Sequence, residues 1–335
     1  MFNSFKSFDC TIKRGFAMKN RMMRKLLVVL WMTGLVLILT AGASFAWEAA
    51  THAYIEEHLY KKAGQADEYV LYNRIYGANA LDIFNNNFTS PFLEFAAYFH
   101  STAQENFLQA WQLAASREEK AFAYGFVSHN NKWGMDSTAH ISGKTYGKRT
   151  GYVIAKAQVL AAMLRSSLPE PLNGLPEETL VNLCHYLVES GVDFLVKAKD
   201  PEIGNKLFAA ALNRSDEVTT LLVNAYQDDF AVLAGITETE AAGKIEDAET
   251  NFQISMMAYG WALTQPNALQ LVAGGLADVG LIYLNLEDEW KPILTEVAQQ
   301  GITAAMMLCK PDFERELQAT KGWVNGKLSS AGVTW

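Results

Sequence analysis

Cysteine, proline and histidine are all scarce in this chain, and each shortage narrows what it can be. Three cysteines in 335 residues are too few for the disulfide framework of a small secreted scaffold. Eight prolines in the whole chain, with few alternating β-branched runs, argue against a fold built on sheets and turns. No internal repeat and no low-complexity linker occurs, so a repeat array or a string of tethered modules is not expected. Six histidines, at 52, 58, 100, 129, 140 and 185, leave none in the last 150 residues. Structural histidines would have no reason to be so skewed.

The first 46 residues read as a secretory leader. A basic run of Lys13, Arg14, Lys19, Arg21, Arg24 and Lys25 precedes an apolar stretch from Leu26 to Leu39, and small residues close at Ala43-Ser44-Phe45-Ala46. These are the n-region, h-region and cleavage pattern of a signal peptide. The apolar run is shorter than the ~20 residues a spanning helix needs, and no Cys follows it to carry a lipid anchor. Cleavage after Ala46 would make Trp47 the first residue of a secreted or periplasmic protein, 47–335. Seven of the 28 basic residues and one of the 36 acidic ones fall in the leader. That leaves 21 against 35 and a net charge near −14. Such a surface disfavours stable nucleic-acid binding. The remaining cysteines, Cys184 and Cys309, either pair or are each buried and free.

What is abundant is helix-forming sequence: long stretches rich in Ala, Leu, Glu, Gln and Lys. The pattern predicts helices over Ala50–Lys62, Asp67–Tyr76, a segment opened by Pro91, Glu118–Ser128, Tyr152–Leu168 and Glu177–Lys199. Beyond them it predicts Ile203–Ala211, Ser215–Leu233, Thr239–Thr264, Ala268–Leu284 and Pro292–Cys309. The expectation is one compact all-α domain, with a ligand-bearing part over 47–200 and further helices over 201–335. Val272–Leu286 is apolar enough to suggest a lipid contact, but Asp278 inside it favours a buried core helix.

The candidate chemistry centres on Phe122–His140, which carries His129, Asp136 and His140 at spacings of seven and four. At roughly 100° per residue all three would share one face if a single helix continued through them. Imidazole and carboxylate together suit zinc, and a shared carboxylate can bridge two ions. His185 and Glu189 are one helical turn apart and meet on one face. Asp82 is an acid inside an apolar run, readable as a ligand or as a helix N-cap. His100 closes the Phe92–Phe99 segment, His52 follows Trp47 by five residues, and His58 is assigned no role. Asp193, two turns beyond His185, reads as a surface acid, with support of a neighbouring ligand as the other possibility.

In order, Trp47-Glu-Ala-Ala-Thr-His52, Gly-Ala-Asn-Ala-Leu-Asp82, His100, Gly-Phe-Val-Ser-His129, Asp136-Ser-Thr-Ala-His140 and His185-x-x-x-Glu189 resemble the motifs of the zinc-dependent phospholipase C family and its relatives, the S1/P1 nucleases. The set spans about half of the exported chain. The resemblance implies an all-helical domain with three zinc ions. His100, His129 and Asp136 would hold one ion, with Asp82 beside it as ligand or general base. The amino group and carbonyl of Trp47, with His52, would hold a second, bridged to the first by Asp136. His140, His185 and Glu189 would hold the third. The short Trp47-to-His52 spacing looks more like the nucleases, and Glu189 more like the phospholipases. The family places three residues where this chain has six, Asn130 to Met135. Either the chain bulges around Gly134 or the ligand set is rearranged.

The implied activity is hydrolysis of a phosphodiester by a metal-bound hydroxide, with phospholipid as the first expectation and transient contact with a membrane surface. A single-strand nuclease or nucleotidase is the alternative enzyme. A catalytically silent exported zinc-binding protein is the alternative from another class. The aromatics Phe84, Phe88, Phe92, Phe95, Tyr98 and Phe99 could line an approach for acyl chains or bases, but their helical spacing favours core.

Overall fold

A computed structural model describes residues 48–335 apart from 63, 65–66, 86–89, 146–149 and 171. The predicted leader, Trp47, Phe88 and Pro171 therefore lie outside the described residues. Among those described the chain is all helix, with no strand. The ligand-rich part contributes α1 (Ala49–Lys62), α2 (Glu68–Ala80), α3 (Phe92–Phe99), α4 (Leu108–Leu113), α5 (Arg117–His129), α6 (Tyr152–Leu164) and α7 (Glu177–Lys199). The remainder forms α8 (Ile203–Asn213), α9 (Glu217–Ala234), α10 (Glu238–Thr264), α11 (Ala268–Leu284), α12 (Lys291–Cys309) and α13 (Phe313–Ser330).

Helix starts follow local chemistry. Asp67 caps α2 by accepting from the Tyr69 and Val70 amides, and Ser116 with Glu119 forms a capping box on α5. Thr237 and Glu240 do the same for α10. α7 enters through Pro176, places Glu177 and Glu178 in its first turn and ends with Lys197 and Lys199, matching the helix dipole. α9 stops at Gly235, which takes the left-handed conformation (φ 65°) that favours glycine.

Two of the helices that carry site residues cross at very short range. An added Cβ at Gly77 of α2 would lie 2.0 Å from the Phe122 carbonyl oxygen of α5, and one at Gly125 would lie 2.1 Å from the Arg74 carbonyl oxygen. No larger residue fits at either position while the helices stay this close. Beside the crossing, fully buried Arg74 pairs with Glu56 of α1 at 2.5 Å and stacks on Tyr124 at 3.8 Å. The other Glu56 oxygen accepts from Ser128 at 3.1 Å. One charged pair thus ties α1, α2 and α5 together next to His129.

The long α7 packs against α1, α6 and α12, and α11 pairs with α12. One continuous cluster of buried apolar residues runs from Ala49 to Val333, so the C-terminal helices share their core with the ligand-bearing ones. Phe84, Phe95 and Phe99 are buried in it, with Phe92 and Tyr98 partly so, in line with the core reading. Cys184 and Cys309 are free and buried. Asp278 is buried and pairs with Lys291. No described helix is long and apolar enough to cross a membrane.

Candidate metal centre

The first turn of α1 is capped from α7. The Asp193 carboxylate accepts from the amides of Ala50 (2.7 Å) and Thr51 (2.8 Å), from Thr51 Oγ1 (2.6 Å) and from the Tyr259 hydroxyl (3.0 Å). Asp193 is fully buried, so the expectation of a surface acid is wrong. Its place four residues beyond Glu189 puts it on the inward face of α7. Burial pushes its pKa up to about 7 against those four donors. The effect is to fix the first turn of α1 and, with it, buried His52.

Asp82 is no N-cap. It lies in the turn after α2, fully buried, and accepts from the Asn85 amide. His100 forms the C-cap of α3, whose Phe95 and Phe99 are sunk in the core. Its Nε2 stands 3.1 Å from Asp82 Oδ1 and 3.3 Å from Asn85 Nδ2. Asn85 has no counterpart among the predicted residues, although its position three after Asp82 in a turn places it within reach.

α5 ends at His129, so the helix does not continue to His140 and the shared-face expectation fails. The interruption is built by Asn130. Its Oδ1 accepts from the amides of Lys132 (3.0 Å), Trp133 (2.8 Å) and Gly134 (3.1 Å), while its Nδ2 donates to Val127 O. Gly134 folds back so closely that a Cβ there would meet His129 O at 2.4 Å. Helical geometry resumes at Met135 and Asp136 and widens into a π-helical turn over Ser137–Ile141, closed by Ser142 N on Ser137 O. Such widened turns are common at functional sites.

The ligand-type side chains nevertheless converge. The His129 ring stacks on His52 at 4.3 Å, and its Nδ1 donates to Ala78 O at 2.8 Å. That bond fixes the ring and turns Nε2 toward Asp136 Oδ2 (2.9 Å) and Asp82 Oδ2 (3.6 Å). Asp136 Oδ1 faces His52 Nε2 at 3.3 Å. His140 Nε2 lies 3.1 Å from His185 Nε2 and 3.2 Å from Glu189 Oε1, which is 2.8 Å from His185 Nε2. Three groups result: His52–His129–Asp136, Asp82–His100–His129 and His140–His185–Glu189, the ligand atoms of each lying within 4.8 Å of one another. Eight of the nine predicted ligands are brought to this site, and the ninth, Trp47, precedes the first described residue. His58 bonds Tyr54 O and stands apart.

The donor set fits a cation. Among the described residues no lysine or arginine pairs with Asp82, Asp136 or Glu189, all fully buried. Asp82 Oδ2, both Asp136 oxygens, Glu189 Oε2 and His129 Nε2 lack a regular hydrogen-bond partner. With Nδ1 committed to Ala78 O, His129 Nε2 faces two carboxylates, an arrangement that needs a proton or a metal between them. With a proton there, burial acts to lower the His129 pKa, but Asp136 and Asp82 overcome it and push the group up to about 9. His129 in turn holds Asp136 well below the usual range despite burial. Burial lowers His52, His140 and His185, the last to about 3 with help from His140. Burial and the nearby Glu48 and Asp136 raise Glu189 well above its ordinary value.

Comparison with known proteins returns nothing. No protein-family model, no curated protein and no solved structure matches this chain. The side-chain geometry and the ordered motifs are left to carry the functional reading.

Proposed function

We propose that this protein is an exported zinc-dependent phosphodiester hydrolase of the phospholipase C type. The observation that carries the proposal is the convergence of eight imidazole and carboxylate side chains from six segments into three groups, two of which share His129, with no lysine or arginine among them. Imidazole nitrogen and carboxylate oxygen without sulfur suit zinc at a hydrolytic site.

His129 has one ring nitrogen left after Ala78, so it can hold only one ion. His52 and His100 would then serve neighbouring ions, with Asp136, whose two oxygens face His52 and His129, as their shared carboxylate. His140, His185 and Glu189 would hold the third. Glu48, one turn before His52 and bonded to its amide, is buried, which suits a ligand role for the neighbouring Trp47 amino group after cleavage. Bound zinc would supply an ionised water near neutral pH and positive charge for a phosphoryl group.

The chain's own residues do the rest. His52 and His129 are sealed, whereas the His100, His185 and His140 side chains are 14%, 13% and 21% exposed. A phosphodiester therefore approaches from the His100–His140–His185 side. Asp82 Oδ2 is placed to accept a proton from a water attacking phosphorus, and Asn85 orients the other Asp82 oxygen. Ile141, next to His140 in the chain, is 41% exposed, and the part-exposed Tyr186 packs on the His185 ring at 4.6 Å, whereas Phe84, Phe95 and Phe99 are in the core. The net negative charge favours a lipid over a nucleic acid.

The test is diacylglycerol release from mixed phospholipid micelles by zinc-loaded protein beginning at Trp47, with and without chelator. Chelator-sensitive release is expected. A protein that carries three zinc ions but releases none from phospholipid, and instead cleaves single-stranded DNA or a nucleotide, overturns the lipid assignment. One that takes up one zinc or none overturns the enzyme reading in favour of a silent exported protein.

A further inference from the structure

The break after His129 removes the helix that would otherwise hold Asp136 and His140 in register. A π-helical turn of five residues has little stability of its own, so its geometry must be imposed from outside. The last helix, α13, does this with three residues on one face, spaced i, i+4 and i+7. The fully buried Glu316 carboxylate accepts from the amides of Lys144 and Thr145 and from Thr145 Oγ1 (2.6 Å), pinning the chain just beyond His140. Thr320 Oγ1 donates to Thr138 Oγ1 at 2.9 Å, and Thr138 Oγ1 donates to Met135 O at 2.7 Å. This relay spans Asp136. Trp323 Nε1 donates to Trp133 O at 2.9 Å, fixing the turn ahead of it. Asp136 and His140 are thus bracketed on both sides by bonds from α13, which itself contributes no ligand.

We infer that α13 is a working part of the metal centre, with Glu316, Thr320 and Trp323 as positioning residues that take the place of helix continuity between His129 and His140. The inference rests on reading the site as a metal centre. It makes the C-terminal helix an extension of the site rather than a separate binding element. The bonds are to backbone or hydroxyl groups at fixed places, so loss of one moves a ligand without removing it.

The experiment is cobalt titration of the full exported chain from Trp47, comparing the wild type with Thr320→Val, Thr320→Ser and Glu316→Gln. The readouts are affinity, the cobalt d–d absorption and amide exchange over 135–145 in the metal-free protein. Thr320→Val is expected to weaken cobalt binding about 10- to 100-fold, the range for partners that orient ligands. It should also alter the d–d spectrum and speed exchange over 135–145, and Thr320→Ser should restore all three. Glu316→Gln, which turns one of two accepting oxygens into a donor facing the Lys144 or the Thr145 amide, should act the same way. Should Glu316→Gln fail to fold, the isosteric Thr320→Val decides. Wild-type affinity and spectrum in Thr320→Val overturn the inference and leave the metal reading standing. A wild type that binds no cobalt overturns both.

Discussion

Gly125→Ala sets two opposite effects against each other at one atom. In an open helix, replacing glycine by alanine stabilises by about 1 kcal/mol through the lower entropy of the unfolded chain and better helix propensity. At position 125 the new methyl carbon would lie 2.1 Å from Arg74 O and 2.7 Å from Ala78 N. A carbon–oxygen contact is comfortable at about 3.3 Å, so α2 and α5 must part by roughly 1 Å. Both neighbours are backbone atoms inside a helix, and no side-chain rotation relieves the clash. Overpacking of this kind costs about 1–3 kcal/mol or more, and separation also opens the contacts around Arg74 and Glu56. The upper part of that range exceeds the propensity gain, leaving a net loss of about 2 kcal/mol. The displacement falls on Ala78, whose carbonyl orients His129, so zinc affinity should fall about 10-fold or more. The control is Gly243→Ala in α10, where nothing lies within 4 Å of the added carbon. Urea midpoints of the metal-free proteins and calorimetric zinc titrations read both effects. A Gly125→Ala protein as stable as the Gly243→Ala one, with wild-type zinc affinity, would refute the crossing argument.

Proton linkage gives a second prediction. In the metal-free protein His129 is held up to about 9 against an ordinary value of 6.5, so its stabilising contribution is fully present below pH 6.5 and lost as pH rises through 9. Metal uptake between these limits should expel that proton, so affinity should climb with pH up to about 9; titrations at pH 7 in buffers of different ionisation enthalpy measure the release, and no release would refute the His129–Asp136 pairing. Third, Arg74→Met should destabilise by about 3–5 kcal/mol, because it leaves Glu56 as an uncompensated buried charge. Adding Glu56→Leu should recover much of that loss in the urea midpoint, and a single variant as stable as the double would count against the pair.

Much of the fold is legible because its causes are local. α7 runs Glu177–Lys199 as the pattern predicts, since Pro176 and the terminal charges mark its ends. α6 stops at Leu164, four residues short of the predicted end, where a tighter 3₁₀ turn takes over from Arg165 to Ser167. α13 was not visible to hydrophobic periodicity. Its buried face includes Glu316 and Thr320, and Gly322 and Gly326 interrupt its propensity. At the site, His185 and Glu189 announce themselves by spacing, whereas the break at Asn130 does not. The only local cue is an asparagine and a glycine four apart, Asn130 and Gly134, and neither changes the spacing of the ligand types. Asp193 is a related case. A carboxylate defaults to the surface, and only the packing of α1 against α7 shows that it caps α1.

The residues that the sequence pattern leaves silent bear on how the centre is held. Three side chains satisfy backbone groups there: Asp193 at the start of α1, Asn130 in the turn that ends α5, and Glu316 in the loop after the π turn. Apart from His185 and Glu189 inside α7, the ligand types sit at or near the ends or interruptions of helices, where backbone groups lack internal partners, and side chains satisfy them. A helix interior would hold His129, Asp136 and His140 rigidly, but on one fixed spiral. Ending the helix frees His140 to join His185 and Glu189 while Asp136 stays with His52 and His129. The freedom is then removed again by α13, Asp193 and the Arg74–Glu56 pair. A site assembled this way depends on contacts from residue 48 to residue 323, so its metal affinity should report on the integrity of the whole helical domain.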